Sequence, residues 1–198
     1  MIFRWCALVV VLCCIATSGL YRRRARRDSG VIPRSQESVA LKLGRSLAAL
    51  PLFGSVIVYL VNPDWMTWSS VSLPEWVRWA GVALGVLMIP SAQWVFRSIG
   101  KNVSETILTK ERHELVSSGP YRWIRHPLYA MGIGVFLSVA LMAANWFILL
   151  FALIVTALIR LVVIPLEERE LLRKFGDDYR EYMARTGRLL PGRRTSSV

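Results

Sequence analysis

Two short stretches of the sequence concentrate residues that could do chemistry. Residues 119–129 read GPYRWIRHPLY and place tyrosine, arginine and histidine beside a proline, directly before a long apolar run. The second stretch is the adjacent pair Glu167 and Glu168, which follows two apolar segments. Anchoring a helix at a membrane interface needs only one or two flanking charges. This density of polar groups therefore indicates a binding or catalytic site.

The first stretch offers groups that suit an anionic and aromatic ligand. Pro127 fits the first position of a helix, since its missing N–H is not needed there, and His126 then falls at the cap. The free N–H groups of such a helix terminus attract anions. Arg125 adds a guanidinium fork that can hold a carboxylate. Tyr121 and Tyr129 add aromatic faces and hydroxyls that suit a planar base or a ribose.

The carboxylate pair offers the complementary groups. Glu167 and Glu168 can accept hydrogen bonds from an ammonium or from sugar hydroxyls, and they favour a cation. At the C-terminal end of a membrane helix they would repel each other and lie at its negative pole. S-adenosylmethionine has a carboxylate, an amine, a ribose and a sulfonium cation, so each of its groups would find a partner here.

Structural roles compete with this interpretation at each position. Arginines next to a membrane helix can act as interfacial anchors, His126 can be only a helix cap, and the aromatic residues can form an interfacial belt. The carboxylates can pair with Arg160 or Arg169. Gly132 can contact a ligand or, with Gly134, allow close helix packing.

Composition places the chain in a membrane. Of its 198 residues 54% are hydrophobic, yet the net charge is +12. The apolar residues come in blocks separated by basic stretches, which is typical of transmembrane helices whose flanking charges set topology. We find no nucleic-acid-binding motif and expect no nucleic-acid partner. The three cysteines all lie in the first apolar segment, so we expect neither a disulfide framework nor a metal site.

Five apolar segments predict an all-α integral membrane protein with about five transmembrane helices. The first has one arginine at its start, Arg4, and five after it, which favours an uncleaved anchor over a signal peptide. Basic residues cluster in segments 22–45, 97–126 and 166–198, whereas the connections at 62–76 and 145 have none. The positive-inside rule then predicts an N-terminus outside and a C-terminus in the cytoplasm. The predicted spans cover residues 3–20, 47–61, 77–96, 127–144 and 146–165.

The last two spans predict a helical hairpin that brings the two polar stretches together. Asn145 alone separates them, and such a short connection makes the helices antiparallel. Each arm would be about 25–30 Å long, close to one hydrocarbon thickness. If both arms cross the membrane, His126 and Glu167 return to the same face and can share one pocket.

The remainder of the chain divides around this hairpin. Leu171, Phe175, Tyr179 and Tyr182 recur at helical spacing and predict an amphipathic helix at the membrane surface. We assign residues 1–97 to N-terminal transmembrane helices with a cytoplasmic linker at 28–45, residues 98–192 to a catalytic region, and residues 193–198 to a disordered tail.

The C-terminal half resembles a known group of enzymes. The run GPYRWIRHPLY, the apolar hairpin and then EERELLRKFGDDYREYMARTGRLLP resemble the integral-membrane isoprenylcysteine carboxyl methyltransferase and phospholipid methyltransferase group over residues 98–192. The resemblance implies a membrane enzyme that uses S-adenosylmethionine. It departs from the family pattern two residues after the motif tyrosine, where Met131 replaces a common glycine and Gly132 follows. The implied cofactor contacts are Arg125, His126, Pro127, Tyr129, Glu167 and Glu168, to which we add Tyr121 and Gly132.

We therefore expect methyl transfer to a lipophilic acceptor at the cytoplasmic face of the membrane. An isoprenylcysteine carboxylate, a phospholipid amine and a small lipophilic metabolite all remain open as acceptors. We expect Arg125 or Arg160 to hold a carboxylate acceptor and Glu168 to take the proton of an amine acceptor. Arg160 is a candidate because an ionisable residue within a membrane helix often serves function.

Two alternatives remain open at the level of the sequence. Membrane sterol reductases, which use NADPH, resemble this C-terminal pattern, but an asparagine usually follows their RHP triplet where this chain has Leu128. An aromatic-Gly-Glu run follows their tyrosine, where this chain has Ala130, Met131 and Gly132. The second alternative is a non-catalytic membrane protein of the same fold.

Overall fold

Helices make up nearly all of the structure, a computed structural model that describes residues 1–29, 39–100 and 115–192. Over those ranges it contains no β-strand, only the isolated bridges Ser70–Asn145 and Ile124–Gly187, so the all-α prediction is confirmed. Short 3₁₀ helices cover Pro63–Ser69 and Gly119–Arg122. The α-helices are α1 (Ile2–Ser29), α2 (Val39–Val61), α3 (Glu75–Ile99), α4 (Pro127–Ala143), α5 (Trp146–Leu158), α6 (Ile164–Phe175) and α7 (Asp177–Arg185).

The apolar helices make this a membrane protein. Three described helical stretches, Ile2–Ala25, Glu75–Ile99 and Trp146–Phe175, are long and apolar enough to span a bilayer. The other two predicted spans form the shorter apolar helices Ser46–Val61 and Pro127–Ala143. Helices that are apolar on their outer side need lipid around them. Large apolar side chains that point outward include Leu12, Phe53, Leu87 and Leu153, each more than half exposed.

Close packing between α1, α3 and α4 forms the centre of the bundle. A Cβ atom at Gly81 would lie 2.8 Å from the Leu141 Cβ, and one at Gly85 would lie 2.9 Å from a Val10 methyl group. Small residues allow membrane helices to approach in this way, because packing takes the place of the hydrophobic effect within lipid. The first half of the chain thereby braces the hairpin that carries the polar stretches.

The predicted hairpin is present, and Asn145 fixes its turn. The Asn145 side chain accepts a hydrogen bond from the Ile148 N–H at 3.1 Å and so caps α5. Its amide also donates to the Ser69 hydroxyl at 2.8 Å, which ties the turn to the connection between α2 and α3. Ala144 provides the left-handed residue that reverses the chain, with φ of 48°.

Beyond the hairpin the structure differs from the sequence prediction at Pro165. We expected the fifth span to end there, but α5 continues into α6 through a π-helical turn, Ile159–Val163. The Ile164 N–H donates to the Ile159 carbonyl, five residues back. Proline removes one helical hydrogen bond and crowds the carbonyl four residues before it. The wider π turn supplies the space that an unbroken α-helix would lack.

The predicted amphipathic helix is also divided. Gly176 has φ of +56°, a conformation that glycine adopts without steric cost, so α6 ends at Phe175 and α7 starts at Asp177. Leu171 therefore lies on α6, while Tyr179 and Tyr182 lie on α7 and are buried. The two tyrosines pack against the rest of the protein, and the position of both helices at the membrane surface stays a prediction.

Some predictions fall on residues outside the described ranges. These include the central part of the 28–45 linker, most of the 98–118 connection and the tail at 193–198. Where the linker's end is described, α2 already begins at Val39, eight residues before the predicted start of the second span.

Candidate functional site

The hairpin brings the two polar stretches into contact, as its predicted geometry required. The His126 Nδ1 lies 3.6 Å from a Glu167 carboxylate oxygen, and its Nε2 lies 3.5 Å from the Glu168 Oε1. His126 precedes α4 and the two glutamates are on α6, so the elements meet at one end of the hairpin. His126 and Glu168 are 6% and 4% exposed. A buried imidazole therefore lies between two carboxylates.

Arg125 holds three elements of the site together. Its Nε donates to the Glu168 Oε1 at 2.9 Å, while Nη1 donates to the Met183 carbonyl at 2.9 Å and to the Thr186 carbonyl. The side chain is only 9% exposed. Arg125 thus links α6 and the end of α7 to the segment before α4, and most of its donors are already used within the protein.

Arg188 completes the pairing of Glu168 and was missed in the sequence analysis. Its Nε donates to the Glu168 Oε2 at 3.0 Å, and its Nη2 forms an ion pair with the same oxygen at 2.8 Å. Its side chain is 44% exposed. The contact joins positions twenty residues apart across the α6–α7 break. In the sequence Arg188 is one of many arginines after Pro165, and no local pattern distinguishes it.

Residues 186–192, which we call the C-terminal strap, run alongside residues 123–126. The Arg125 N–H donates to the Gly187 carbonyl at 2.8 Å, and the His126 N–H donates to the Arg188 carbonyl at 3.0 Å. The Gly187 N–H donates in return to the Trp123 carbonyl at 3.1 Å. Gly187 leaves no room for a side chain, since a Cβ there would lie 2.0 Å from the Leu190 carbonyl oxygen. The strap therefore holds the backbone of residues 123–126 in place.

Buried tyrosines line the same region. The Tyr182 hydroxyl donates to the Tyr121 carbonyl at 2.7 Å, so α7 packs against the 3₁₀ helix at the start of the stretch 119–129. Loss of solvation raises the pKa of Tyr182 to about 12. Burial likewise raises the pKa of Tyr121 and Tyr179, with the neighbouring Glu168 carboxylate adding to the effect at Tyr179. All three phenols are therefore neutral at physiological pH.

Other predicted residues take distinct positions around this cluster. The Tyr129 ring stacks on the His126 ring, with centroids 5.8 Å apart, and Pro127 is buried as the first residue of α4. No described atom lies within 4 Å of a Cβ built at Gly132, whereas one at Gly134 would meet the Met88 sulfur at 2.5 Å. Close packing thus explains Gly134, and Gly132 faces open space.

Arg160 is not part of the described cluster. It lies in the π turn and is exposed, and no hydrogen bond or ion pair joins it to another described residue. The alternative pairing of the carboxylates with Arg160 or Arg169 does not apply to Glu168, whose guanidinium partners are Arg125 and Arg188. The catalytic role expected for Arg160 stays a prediction.

The donor set fits the polar end of S-adenosylmethionine. Within the described residues, the His126 Nε2 and the Tyr179 hydroxyl are buried atoms without a hydrogen-bond partner, although buried polar groups are normally paired. Two carboxylates and a half-exposed guanidinium lie beside them, and these suit an ammonium and a carboxylate. The described ranges contain no group of three or more His, Cys, Asp and Glu side chains that could hold a metal ion.

The fold and the site define a helical membrane protein with a cluster of buried polar side chains at one end of a hairpin. The sequence profile of the phospholipid methyltransferase family matches residues 76–178, which include α3, the motif, the hairpin and both glutamates. The chain therefore belongs to the phospholipid methyltransferase family. The matched range ends ten residues before Arg188.

Two curated relatives share part of this sequence. A methanethiol S-methyltransferase 1 from Bradyrhizobium diazoefficiens is 44% identical over 75 residues, which are 38% of this chain and 25% of that protein. A methanethiol S-methyltransferase from Mycobacterium tuberculosis is 42% identical over 71 residues, 36% of this chain and 28% of that protein. The similarity thus spans about a quarter of the length of each relative.

Proposed function

We propose that the protein is a membrane methyltransferase that uses S-adenosylmethionine and methylates a lipophilic acceptor. The observation that carries the proposal is the contact of His126 with Glu167 and Glu168 across the hairpin, in a chain of the phospholipid methyltransferase family. That family favours methyl transfer over the sterol-reductase alternative.

The chemistry needs little from the protein beyond positioning. When bound, S-adenosylmethionine supplies a methyl carbon on a cationic sulfur, which an acceptor lone pair can attack while the carbon–sulfur bond breaks and its electrons return to sulfur. The protein has to align the two reactants and keep water away from them. The buried His126 and its neighbouring tyrosines provide such a sheltered, fixed environment.

The contacts of Glu168 favour a binding role over proton transfer. One carboxylate oxygen accepts from Arg125 and the other accepts from Arg188, so the group is held in its charged form. We expected Glu168 to take the proton of an amine acceptor, and its pairing argues against that role. A nearby atom better suited to accept a proton is the His126 Nε2, which has no described hydrogen-bond partner. It carries a lone pair in the neutral tautomer whose proton is on Nδ1, the nitrogen that faces Glu167.

A small apolar thiol is the acceptor we propose first. Both curated relatives are named for methylation of methanethiol, and such a molecule can enter from the bilayer. A thiol acceptor loses one proton on methylation and becomes a thioether, for which a neutral histidine is a suitable proton acceptor. A phospholipid amine and an isoprenylcysteine carboxylate are the other two acceptor classes that the test must separate.

The test is transfer of label from methyl-labelled S-adenosylmethionine by detergent-purified protein. Three acceptors are compared in parallel: an alkanethiol, phosphatidylethanolamine vesicles and an isoprenylated cysteine analogue. We expect labelled thioether with the wild type, loss of most of it in His126→Ala, and full activity in Arg122→Gln. Arg122 is exposed and stacks over Trp123 on the same motif, so it is a matched control.

The outcomes separate the two levels of the proposal. Label in lipid or in the isoprenylated analogue, but not in the thiol, would keep the methyltransferase and replace the acceptor. Folded protein that labels none of the three acceptors and binds NADPH instead would contradict the proposed function.

A further inference from the structure

Arg125 and Arg188 both pair with Glu168, but their remaining donors differ. Arg125 is 9% exposed and donates to the Met183 and Thr186 carbonyls as well as to Glu168. The Arg188 side chain is 44% exposed, and its polar contacts to described residues, a hydrogen bond from Nε and an ion pair of Nη2, both go to Glu168. A guanidinium has five N–H donors. Arg188 therefore retains donors on its exposed side, whereas Arg125 is held inside the protein.

Arg188 and the unpaired His126 Nε2 lie against the same carboxylate. Its Nη2 is 2.8 Å from one oxygen of the Glu168 carboxylate, and the His126 Nε2 is 3.5 Å from the other. A ligand that bridges the His126 Nε2 and the Arg188 guanidinium would therefore pass across the Glu168 carboxylate. The pair Glu168 and Arg188 presents a negative and a positive group side by side at that point.

We infer that Arg188 binds the carboxylate of the methyl donor's amino-acid end, while Glu168 faces its ammonium. This inference rests on the proposed function. An α-amino acid carries an ammonium and a carboxylate on one carbon, and adjacent carboxylate and guanidinium groups match that arrangement. A guanidinium also suits a carboxylate through two parallel hydrogen bonds. The role that the sequence suggested for Arg125 thus passes to Arg188.

The C-terminal strap gives Arg188 the fixed backbone that such a role needs. The Arg188 carbonyl accepts from the His126 N–H at 3.0 Å, and the neighbouring Gly187 exchanges hydrogen bonds with Arg125 and Trp123. The strap therefore holds Arg188 in register with the motif that supplies His126. Groups held in place before binding lose little entropy when a ligand arrives.

The experiment compares two ligands and two variants by isothermal titration calorimetry on the full-length protein. The ligands are S-adenosylmethionine and its decarboxylated analogue, which lacks only the carboxylate. The variants are Arg188→Gln and Arg185→Gln. Arg185 is an exposed arginine at the end of α7 whose described ion pair is with Glu181, so it controls for loss of one positive charge nearby.

We expect Arg188→Gln to weaken binding of S-adenosylmethionine about tenfold or more and to leave binding of the decarboxylated analogue unchanged. The wild type should prefer S-adenosylmethionine by a similar factor, and Arg185→Gln should behave as the wild type does. An Arg188→Lys variant, which keeps the charge, should bind with intermediate affinity. A thermal unfolding curve on each variant shows that it is folded.

Other results overturn the inference in distinguishable ways. Equal loss of both ligands in Arg188→Gln, or no loss of either, would show that Arg188 does not recognise the carboxylate, and the proposed function would stand. If Arg188→Gln does not fold, the same comparison in Arg188→Lys decides: an equal effect on both ligands refutes the inference. A folded wild type that binds neither ligand would refute the proposed function itself.

Discussion

At the scale of single residues, Glu168 is the centre of the site's charge. It is 4% exposed, and Arg125, Arg188 and His126 all lie against its two oxygens. A buried carboxylate in such a cluster is stable only while its cationic partners remain. The buried guanidinium of Arg125 likewise needs the negative charge of Glu168.

We expect Glu168→Gln to destabilise the protein strongly. The change removes the negative charge opposite the buried Arg125, and breaking a buried ion pair costs roughly 3–5 kcal/mol. The measurement is thermal unfolding in detergent, with Glu181→Gln as the control, since Glu181 is an exposed carboxylate on α7. Exposed pairs contribute at most about 1 kcal/mol. Equal unfolding temperatures for the two variants would contradict the role assigned to Glu168.

Alkaline pH should weaken the fold through Tyr182. Its pKa is raised to about 12 by burial, against about 10 in an unfolded chain. Above pH 10 the unfolded state loses this proton more readily than the folded state, so the stability that is present below pH 10 declines towards pH 12. Tyr182→Phe removes this titration. The unfolding temperature of the variant should therefore fall less steeply than that of the wild type between about pH 9 and about pH 11.5, measured in the same buffers. Parallel slopes for wild type and variant would show that Tyr182 does not contribute.

The residues of the site were predictable to unequal degrees. His126 and the two glutamates could be joined from sequence, because the hairpin length fixes where each arm returns. Arg188 could not, since its contact depends on the break at Gly176 and on backbone pairing of the strap with residues 123–126. Neither feature leaves a periodic pattern. The sequence also predicted that Arg125 binds a ligand. Its burial and its carbonyl partners, which leave it few free donors, are visible only in the folded chain.

At the scale of elements, the helices and the Asn145 turn were predictable, but the junctions at Pro165 and Gly176 were not. Apolar blocks predicted the five apolar helices to within a few residues at most ends. The fifth span was predicted to end at Pro165, but a π turn carries the helix past it. The π turn shifts the helical hydrogen bonds from four to five residues over a single turn. The spacing of apolar residues does not reveal such a local shift.

Two glycines should respond oppositely to the same substitution. A Cβ at Gly81 would meet the Leu141 Cβ at 2.8 Å and the Met142 backbone nitrogen at 3.0 Å. Backbone atoms cannot move aside easily, so Gly81→Ala should cost about 1–3 kcal/mol by separating α3 from α4. A Cβ at Gly132 meets no described atom within 4 Å, and alanine favours a helix over glycine by up to about 1 kcal/mol.

Thermal unfolding of the two variants side by side checks this prediction. Gly132→Ala should be at least as stable as the wild type, and Gly81→Ala should unfold earlier. Binding of S-adenosylmethionine to the stable Gly132→Ala variant then tests the predicted cofactor contact at that position. The packing account fails if Gly81→Ala is as stable as Gly132→Ala.

At the scale of the whole molecule, the two ends of the bundle differ in their charges. The end with the site includes Tyr21 and Arg97, whose side chains are hydrogen bonded at 3.0 Å, together with the arginines that follow the first apolar segment. At the other end Arg4 donates to the Leu60 and Val61 carbonyls, and Arg78 donates to the Met142 carbonyl. These two cations neutralise helix C-termini, so the free basic charge lies at the site end.

We therefore predict that the site faces the cytoplasm and that the connection between α2 and α3 lies outside. Single cysteines are introduced by Ser70→Cys or Arg180→Cys, both at exposed positions, after replacement of the three native cysteines by alanine. In intact cells a membrane-impermeant maleimide should label the cysteine at position 70 and reach that at position 180 only after permeabilisation. The reverse pattern would invert the predicted topology.

The central claim is that the hairpin builds one binding site for the methyl donor from His126 and the two glutamates. The most direct test is equilibrium binding of S-adenosylmethionine to the detergent-purified wild type, His126→Ala and the control Arg122→Gln. We predict saturable binding to the wild type and to the control, and an affinity lower by about tenfold or more in folded His126→Ala. A folded His126→Ala that binds as tightly as the wild type, or a folded wild type that does not bind, would contradict the claim.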